Sequence, residues 1–163
     1  MIPSSSAARN LFGLVPDSSP SRPRPRLQCS VQALAVEPTT AKILIVDDDE
    51  GVTQTFARML RLEGYQVRTA VTAETGLREA EQTHPDAIIL DLRMPLLDGL
   101  GFLRRLRAMA EQRSTPVAIV TGDYFLDDSV SEELRDLGVQ LRFKPLWLED
   151  LVGLARNLLK VTH

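Results

Sequence analysis

Continuous runs of apolar residues recur along the chain at strand length, at residues 43–46, 87–90 and 116–120. Runs without polar alternation are typical of strands that are buried on both faces of a parallel sheet. Residues 65–69 alternate between polar and apolar positions, which predicts an edge strand, and residues 139–143 predict a further strand. The sequence therefore predicts five strands.

Between these strands, apolar residues recur at helical spacing. The first helix ends at Gly64, the second runs from a Thr72 cap to residue 82, and the third follows Asp98. A fourth helix is predicted over residues 123–137 and a fifth over residues 148–158. Strict alternation of strands and helices predicts right-handed crossovers and an α/β fold. The natural arrangement of five such units is flavodoxin-like, (βα)5, with a parallel sheet in the order 2-1-3-4-5 and helices on both faces.

Residues 1–40 have a different composition, rich in Ser, Pro and Arg and without periodic apolar residues. Such a segment cannot bury enough apolar surface to offset the entropy of ordering it, so it is predicted to be a disordered extension. Three origins fit it: a flexible tail and residues added by a misassigned start codon are favoured, and an organellar targeting segment is left open. The folded domain is predicted to occupy residues 41–161.

Composition and charge narrow the classes of function. The net charge is −3, but residues 1–36 hold four arginines and one aspartate, so the remainder carries −6. An acidic folded part does not suggest a domain that binds the phosphates of nucleic acid, and no apolar stretch approaches the roughly 20 residues that span a bilayer. The lone Cys29 excludes an internal disulfide framework and favours a reducing compartment. The expected location is cytoplasmic, with organellar targeting by the extension left open.

Polar side chains follow four of the predicted strands. Asp47 and Asp48 follow the first strand, Asp91 the third, Thr121 the fourth and Lys144 the fifth. The carboxyl ends of parallel strands meet at one edge of the sheet, and the 2-1-3-4-5 order brings these residues to one pocket. Each residue alone is explained as a strand end, a loop residue or part of an acidic first helical turn. These structural explanations do not account for acids after the first and third strands, a hydroxyl after the fourth and a lysine after the fifth.

The combination suits phosphoryl chemistry. Three carboxylates held close together repel one another unless a cation lies between them, and Mg²⁺ takes oxygen ligands from one or two carboxylates together with substrate phosphate oxygens. In such a pocket Asp91 can attack phosphorus in line and form an acyl phosphate. Lys144 and the Thr121 hydroxyl would bind oxygens of the transferred group.

The motifs resemble those of the receiver domain of two-component response regulators, of the stand-alone chemotaxis-regulator type. The resemblance covers residues 41–161 and rests on Val46-Asp47-Asp48-Asp49, Leu90-Asp91-Leu92-Arg93-Met94-Pro95 with Asp98-Gly99, Thr121-Gly122 and Lys144-Pro145. It implies that Asp91 accepts a phosphoryl group from a phosphohistidine of a histidine kinase or histidine phosphotransfer protein. It also implies that Asp48, Asp91 and the backbone carbonyl of Arg93 bind Mg²⁺, that Asp47 helps through water, and that Lys144 and Thr121 sense phosphorylation.

The sequence departs from the family pattern at its switch position. The family usually has an aromatic residue three positions before the lysine, where this chain has Leu141, while Phe143 stands next to the lysine. Arg93 and Asp123 occupy positions that tend in this family to tune loss of the phosphoryl group. We hypothesise that these two opposite charges pair across the mouth of the pocket.

Other residues are expected to be structural. Trp147 is expected to pack at the start of the last helix, and His84 to be a loop residue. Arg104, Arg105 and Arg107 are expected on the outside of the third helix. The fourth helix carries an acidic face, which in this family lies on the output surface, so a basic protein partner is expected there.

The expected function is that of a single-domain response regulator, because the chain ends at His163 soon after the last predicted helix. Its output would be phosphorylation-dependent contact with a downstream target protein or a phosphorelay, with no enzyme activity, direct nucleic-acid contact or membrane association. One alternative is a Mg²⁺-dependent phosphatase with an aspartyl-phosphate intermediate, which typically needs a second acid where Arg93 stands. Another is a receiver that is never phosphorylated and acts only as a binding module.

Overall fold

The computed structural model describes residues 41–160, so the predicted extension at 1–40 lies outside the described residues. The strands are β1 (Lys42–Val46), β2 (Gln66–Ala70), β3 (Ala87–Leu90), β4 (Val117–Thr121) and β5 (Gln140–Phe143); the helices are α1 (Glu50–Leu62), α2 (Ala73–Thr83), α3 (Gly99–Ala108), α4 (Asp128–Asp136) and α5 (Leu148–Lys160), with a 3-10 turn at Ala110–Gln112. All strands are parallel, in the order β2-β1-β3-β4-β5, which confirms the predicted fold. Between residues 41 and 160, no helix has the length and apolarity that crossing a membrane requires.

The central strands are apolar throughout because both of their faces are covered. Ile43 and Ile45 of β1 belong to the core on the side of α1 and α5, whereas Leu44 and Val46 belong to the core on the side of α2 and α3. Each of these side chains is almost completely buried. Burying one such side chain contributes roughly 1.5–3 kcal/mol, so the two layers fix the strand register.

Short polar side chains begin three of the helices. The Asp49 carboxylate accepts the N–H of Val52 at 3.1 Å at the start of α1. Thr72 caps α2 in a reciprocal pair with residue 75, and the Asp98 carboxylate accepts the N–H of Gly101 at 2.8 Å at the start of α3. These caps satisfy N–H groups that have no partner within the helix, and they fix where the chain leaves the strand ends.

The first two helices end at residues in the left-handed backbone region. Gly64, with φ of 92°, follows the end of α1, which confirms the predicted helix end. His84, with φ of 47°, caps α2, and its Nδ1 lies 3.2 Å from a carboxylate oxygen of Glu111. The prediction of His84 as a loop residue is therefore confirmed.

The prediction of a fourth helix over residues 123–137 is wrong at its start, because α4 begins at Asp128 and residues 123–127 form a loop. The N–H of Asp123 donates to the Thr121 hydroxyl at 3.1 Å, and the Asp123 carboxylate accepts the N–H of Phe125 at 3.0 Å. These local bonds give the backbone an alternative to the first helical turn.

Two side chains lie elsewhere than expected. Arg107 was expected on the outside of α3 with the exposed Arg104 and Arg105, but its guanidinium turns inward and donates to the carbonyls of Gln112 and Thr115 at 3.2 and 2.7 Å. Burial lowers the pKa of Arg107. Trp147 was expected to pack at the start of the last helix, but it lies in the loop between β5 and α5 and is 74% exposed.

Candidate functional site

The sheet holds the backbone of the strand-end residues in place. The N–H of Asp91 donates to the carbonyl of Val46 at 2.8 Å, and the N–H of Lys144 donates to the carbonyl of Thr121 at 2.8 Å. The N–H of Asp47 donates to a β2 carbonyl at 3.1 Å. These bonds continue the parallel ladders one residue beyond the strands, so the polar side chains project from a fixed edge.

Three carboxylates meet at this edge. Oxygens of Asp47, Asp48 and Asp91 all lie within 4.8 Å of one another. Asp47 and Asp91 are only 4% and 6% exposed, while Asp48 is open to solvent. An all-oxygen donor set with one open side fits a hard divalent cation that keeps several waters, as Mg²⁺ does.

The side chain of Lys144 lies against the same carboxylates. Its Nζ is 2.5 Å from Oδ2 of Asp47 and 3.3 Å from Oδ1 of Asp91. Lys144 is joined to Pro145 by a cis peptide bond. The five strand-end residues predicted from the sequence thus include four side chains that the structure brings into one cluster.

Burial and charge shift the titration of this cluster. Burial, together with the nearby Asp47 carboxylate, raises the pKa of Asp91 above its ordinary value, although Lys144 opposes the shift. Burial alone would lower the pKa of Lys144, but its hydrogen bond to Asp47 and the negative charges of Asp91 and Asp47 outweigh it and leave that pKa raised. Lys144 therefore carries its positive charge at neutral pH, beside a carboxylate whose ionised form is disfavoured.

Thr121 lies at the end of β4, next to β3, and is fully buried. Its hydroxyl oxygen accepts the N–H of Asp123 at 3.1 Å, which leaves the hydroxyl proton available for a further acceptor. The N–H of Arg93 folds back to donate to Oδ2 of Asp91 at 3.0 Å. The predicted roles of the Thr121 hydroxyl in sensing a phosphoryl group and of the Arg93 carbonyl in binding Mg²⁺ stay predictions.

Gly99, the first residue of α3, packs directly against the backbone of Asp91. A Cβ atom at this position would lie 2.5 Å from the carbonyl oxygen of Asp91 and 2.9 Å from the Cα of Leu92. The N–H of Gly99 also donates to the carbonyl of Leu92 at 2.9 Å. A glycine is thus required at this position because the backbone of α3 contacts the backbone of Asp91 and leaves no room for a side chain.

The hypothesis that Arg93 and Asp123 form a pair is confirmed. The Nε of Arg93 donates to Oδ2 of Asp123 at 2.8 Å, and a second guanidinium nitrogen contacts the same oxygen. The pair joins the loop after β3 to the loop after β4. Its partners are the second residues after Asp91 and Thr121, so it borders the pocket.

The sequence reasoning missed a pair of aromatic side chains beside the site. Tyr124 stacks on Phe143, with ring centroids 5.2 Å apart and planes at 15°, and the Tyr124 hydroxyl donates to the carbonyl of Lys144. The available signal was the presence of aromatic residues just after Thr121 and just before Lys144, at the ends of adjacent strands. Leu141, which stands at the family's switch position, is a partly buried residue packed in the core beneath α3 and α4.

Residues 43–153 match the family model described as the response regulator receiver domain. The chain is 38% identical over 122 residues to the transcriptional regulatory protein PrrA of Mycobacterium tuberculosis, covering 75% of this chain and 51% of PrrA. It is 36% identical over 124 residues to the response regulator MprA of Mycolicibacterium vanbaalenii, covering 74% of this chain and 51% of MprA. The chain thus spans about half the length of these curated relatives.

Solved structures give the same result. The chemotaxis protein CheY4 of Vibrio cholerae aligns with a TM-score of 0.68 at 28% identity, over 73% of this chain and 98% of CheY4. A putative response regulator from Chloroflexus aurantiacus aligns with a TM-score of 0.67 at 30% identity, over 74% of this chain and 98% of that protein. The resemblance predicted from the strand-end motifs is confirmed: the chain belongs to the response regulator receiver domain family.

Proposed function

We propose that Asp91 accepts a phosphoryl group from a phosphohistidine of a histidine kinase or histidine phosphotransfer protein. One observation carries the proposal: Asp91 is a buried carboxylate that lies 3.3 Å from the ammonium of Lys144 and within 4.8 Å of two further carboxylates. A nucleophile beside both a fixed cation and a set of oxygen atoms suited to a divalent ion can attack an anionic phosphoryl group.

The transfer is a displacement at phosphorus. An Asp91 carboxylate oxygen forms the new P–O bond while the P–N bond to the donor imidazole breaks. The electron pair of that bond stays on the imidazole nitrogen, which takes up a proton from solvent. Lys144, which already reaches Oδ1 of Asp91, then binds an oxygen of the transferred group, and the free proton of the Thr121 hydroxyl donates to another.

Asp47, Asp48 and Asp91 would hold Mg²⁺, with the Arg93 carbonyl as a further ligand. The ion supplies charge neutralisation for the entering phosphoryl oxygens. Asp47 is held by two other groups, since its Oδ1 accepts the N–H of Asp49 at 2.9 Å and its Oδ2 contacts Lys144. These contacts fix Asp47 beside the ion site, where the family pattern assigns it a contact through a water molecule.

The test is incubation of the full chain with a small acyl phosphate and Mg²⁺, followed by intact-mass measurement. Asp91→Asn is expected to abolish the mass increase of one phosphoryl group, because the amide is not a nucleophile. The matched control is Asp136→Asn, which removes an exposed carboxylate of α4 by the same chemical change. Labelling of Asp91→Asn equal to that of the control would show that another residue is the acceptor.

The same experiment separates the alternative functions. Steady release of phosphate from phosphate esters, lost in Asp91→Asn, would indicate a phosphatase. The absence of labelling in the unaltered chain, with any phosphodonor, would indicate a receiver that acts as a binding module. Arg93 stands where such phosphatases need a general acid, and its guanidinium is paired with Asp123, which supports phosphoryl acceptance without ester turnover.

We further infer that the phosphorylated domain acts through contact with a basic protein surface, either on a downstream target or on a relay partner. Asp127, Asp128, Glu132 and Asp136 expose their side chains along and just before α4. Closely spaced carboxylates attract a basic partner and accelerate its approach. Binding of such a partner is expected to weaken as salt concentration rises.

A further inference from the structure

The loop at residues 123–127 is tied to both neighbouring strand ends by side chains. Asp123 pairs with Arg93 after β3, and Tyr124 contacts β5 in two ways. Its ring stacks on Phe143 with a centroid distance of 5.2 Å, and its hydroxyl donates to the carbonyl of Lys144. The loop is therefore joined to the ends of β3 and β5, on either side of β4, at the edge of the sheet that carries the candidate phosphorylation site.

Lys144 is held from several directions through this arrangement. Its N–H donates to the carbonyl of Thr121 at 2.8 Å, and its carbonyl accepts the Tyr124 hydroxyl. Its Nζ contacts Asp47 and Asp91. Tyr124 thus binds the backbone of Lys144, whose ammonium lies in the pocket, although the Tyr124 side chain itself is exposed to solvent.

Thr121 links the pocket to the other end of the same loop. The N–H of Asp123 is bonded to the Thr121 hydroxyl oxygen at 3.1 Å. The Thr121 hydroxyl can donate to a phosphoryl oxygen on Asp91 while it accepts the N–H of Asp123, so any movement of its oxygen towards the phosphoryl group must be followed by that N–H or must break the bond. Either outcome alters the loop one residue before Tyr124.

Within residues 41–160, the position three before Lys144 holds Leu141 and no aromatic ring that could couple the loop after β4 to β5 from inside the sheet. Leu141 is partly buried against the core on the side of α3 and α4, and it pairs with Ile119 in the sheet. The ring contact between the loop after β4 and β5 is made on the surface, by Tyr124 and Phe143. Separating the stacked rings costs free energy, so a shift of the loop favours a matching displacement of the end of β5.

We propose that Tyr124 is a positioning residue that couples the loop after β4 to Lys144, so that Lys144 is held for the phosphoryl group and the loop's response is transmitted to the end of β5. This inference rests on the proposed function of Asp91. Tyr124 acts through Lys144 and does not touch the transferred group. The hydroxyl fixes the Lys144 peptide, and the ring transmits the movement to Phe143.

The experiment uses the full chain and two readouts with beryllium trifluoride and Mg²⁺, a mimic of the bound phosphoryl group. The first is the concentration of mimic needed for half saturation. The second is the change in fluorescence of Trp147, the single tryptophan, which follows Lys144 by three residues and is solvent-exposed. Tyr124→Phe removes the hydroxyl and keeps the ring, Tyr124→Ala removes both, and Phe125→Ala removes a 92% exposed neighbouring ring as a matched control.

Tyr124→Phe is expected to weaken mimic binding about 2- to 10-fold, the range of one net hydrogen bond, while Phe125→Ala stays within about twofold of the unaltered chain. Tyr124→Ala is expected to weaken binding at least as much and to reduce the Trp147 response to less than about half, because the stack is lost as well. Thermal unfolding of each variant checks that this surface substitution leaves the fold intact. A purely structural part for Tyr124 would leave the Trp147 response unchanged.

Two failures are distinguishable. If the unaltered chain neither binds the mimic nor is labelled by an acyl phosphate, the proposed function falls and the inference with it. If the unaltered chain responds and both Tyr124 variants match Phe125→Ala in affinity and in the Trp147 response, or bind the mimic more tightly, the inference alone is overturned.

Discussion

Gly99→Ala tests how closely α3 packs against the backbone of Asp91. The new Cβ would lie 2.5 Å from the Asp91 carbonyl oxygen and 2.9 Å from the Leu92 Cα, whereas ordinary contacts begin near 3.4 Å. Helix and strand end must therefore separate by about 1 Å. Both neighbours are backbone atoms of a buried strand end, so no flexible side chain can move away.

The magnitude follows from two opposing effects. Overpacking against backbone falls at the upper end of the usual range, about 3 kcal/mol, and the gain from replacing a helical glycine by alanine is about 1 kcal/mol at most. The net loss in the free energy of unfolding is therefore about 2 kcal/mol. For a domain of this size that is a fall in melting temperature of roughly 8 °C.

Urea unfolding followed by circular dichroism measures this change as a lower midpoint at constant slope. Gly153→Ala in α5 is the matched control, because its Cβ would meet nothing within 4 Å. That variant is expected to gain about 0.5–1 kcal/mol from reduced chain entropy in the unfolded state. A midpoint for Gly99→Ala equal to or above that of the unaltered chain would refute the close approach.

Three further predictions concern the loops around the site. Arg93→Asn should shorten the lifetime of the phosphorylated form severalfold, measured as decay of the labelled mass, because it breaks the ion pair with Asp123 at the border of the pocket. The control Arg104→Asn breaks an exposed ion pair with Glu133 away from the pocket. An equal effect of the two variants would show that the Arg93–Asp123 pair does not control the lifetime. Leu96→Gly should stabilise the fold by about 0.5–1 kcal/mol, because Leu96 is fully exposed with φ of 68°, and a lower urea midpoint would contradict this account. Asp91→Asn should raise the urea midpoint at pH 7 without divalent cations, because a raised pKa means that ionised Asp91 destabilises the folded state. That gain should shrink as the pH falls through the raised pKa and vanish below the ordinary value of 3.8, and a gain that persists there would show a cause other than charge.

The sequence could predict the strands and the acidic cluster because the relevant forces are local or follow from topology. Burial on both faces makes β3 apolar from end to end, and the first polar residue after it is Asp91. The parallel order then requires Asp47 and Asp91 to meet at one edge. No further information on side-chain contacts was needed to place them together.

The pair of Arg93 with Asp123 was predicted, but the loop conformation at residues 123–127 was not, because it depends on local bonds of Asp123 and on a partner of Tyr124 that is distant in the chain. Asp123 binds Arg93, 30 residues earlier, and Tyr124 binds Lys144, 20 residues later. Helical periodicity alone extended α4 back over these residues. Arg107 was misplaced for a related reason: periodicity gives the direction of Cβ, but a long guanidinium side chain can turn back and bind carbonyls beside its own helix.

The charges of the pocket support the proposal that phosphorylation of Asp91 is transmitted beyond the pocket. When Asp47, Asp48 and Asp91 are all ionised, Lys144 balances only one of three negative charges. Any phosphoryl group that arrives adds further negative charge, so the ammonium is drawn towards it and away from its contact with Asp47. Because the Lys144 carbonyl is bonded to Tyr124, the peptide cannot follow the ammonium without moving the loop after β4. Under the proposed function, Lys144 is therefore both the residue that neutralises the site and the residue through which phosphorylation would alter the loop after β4.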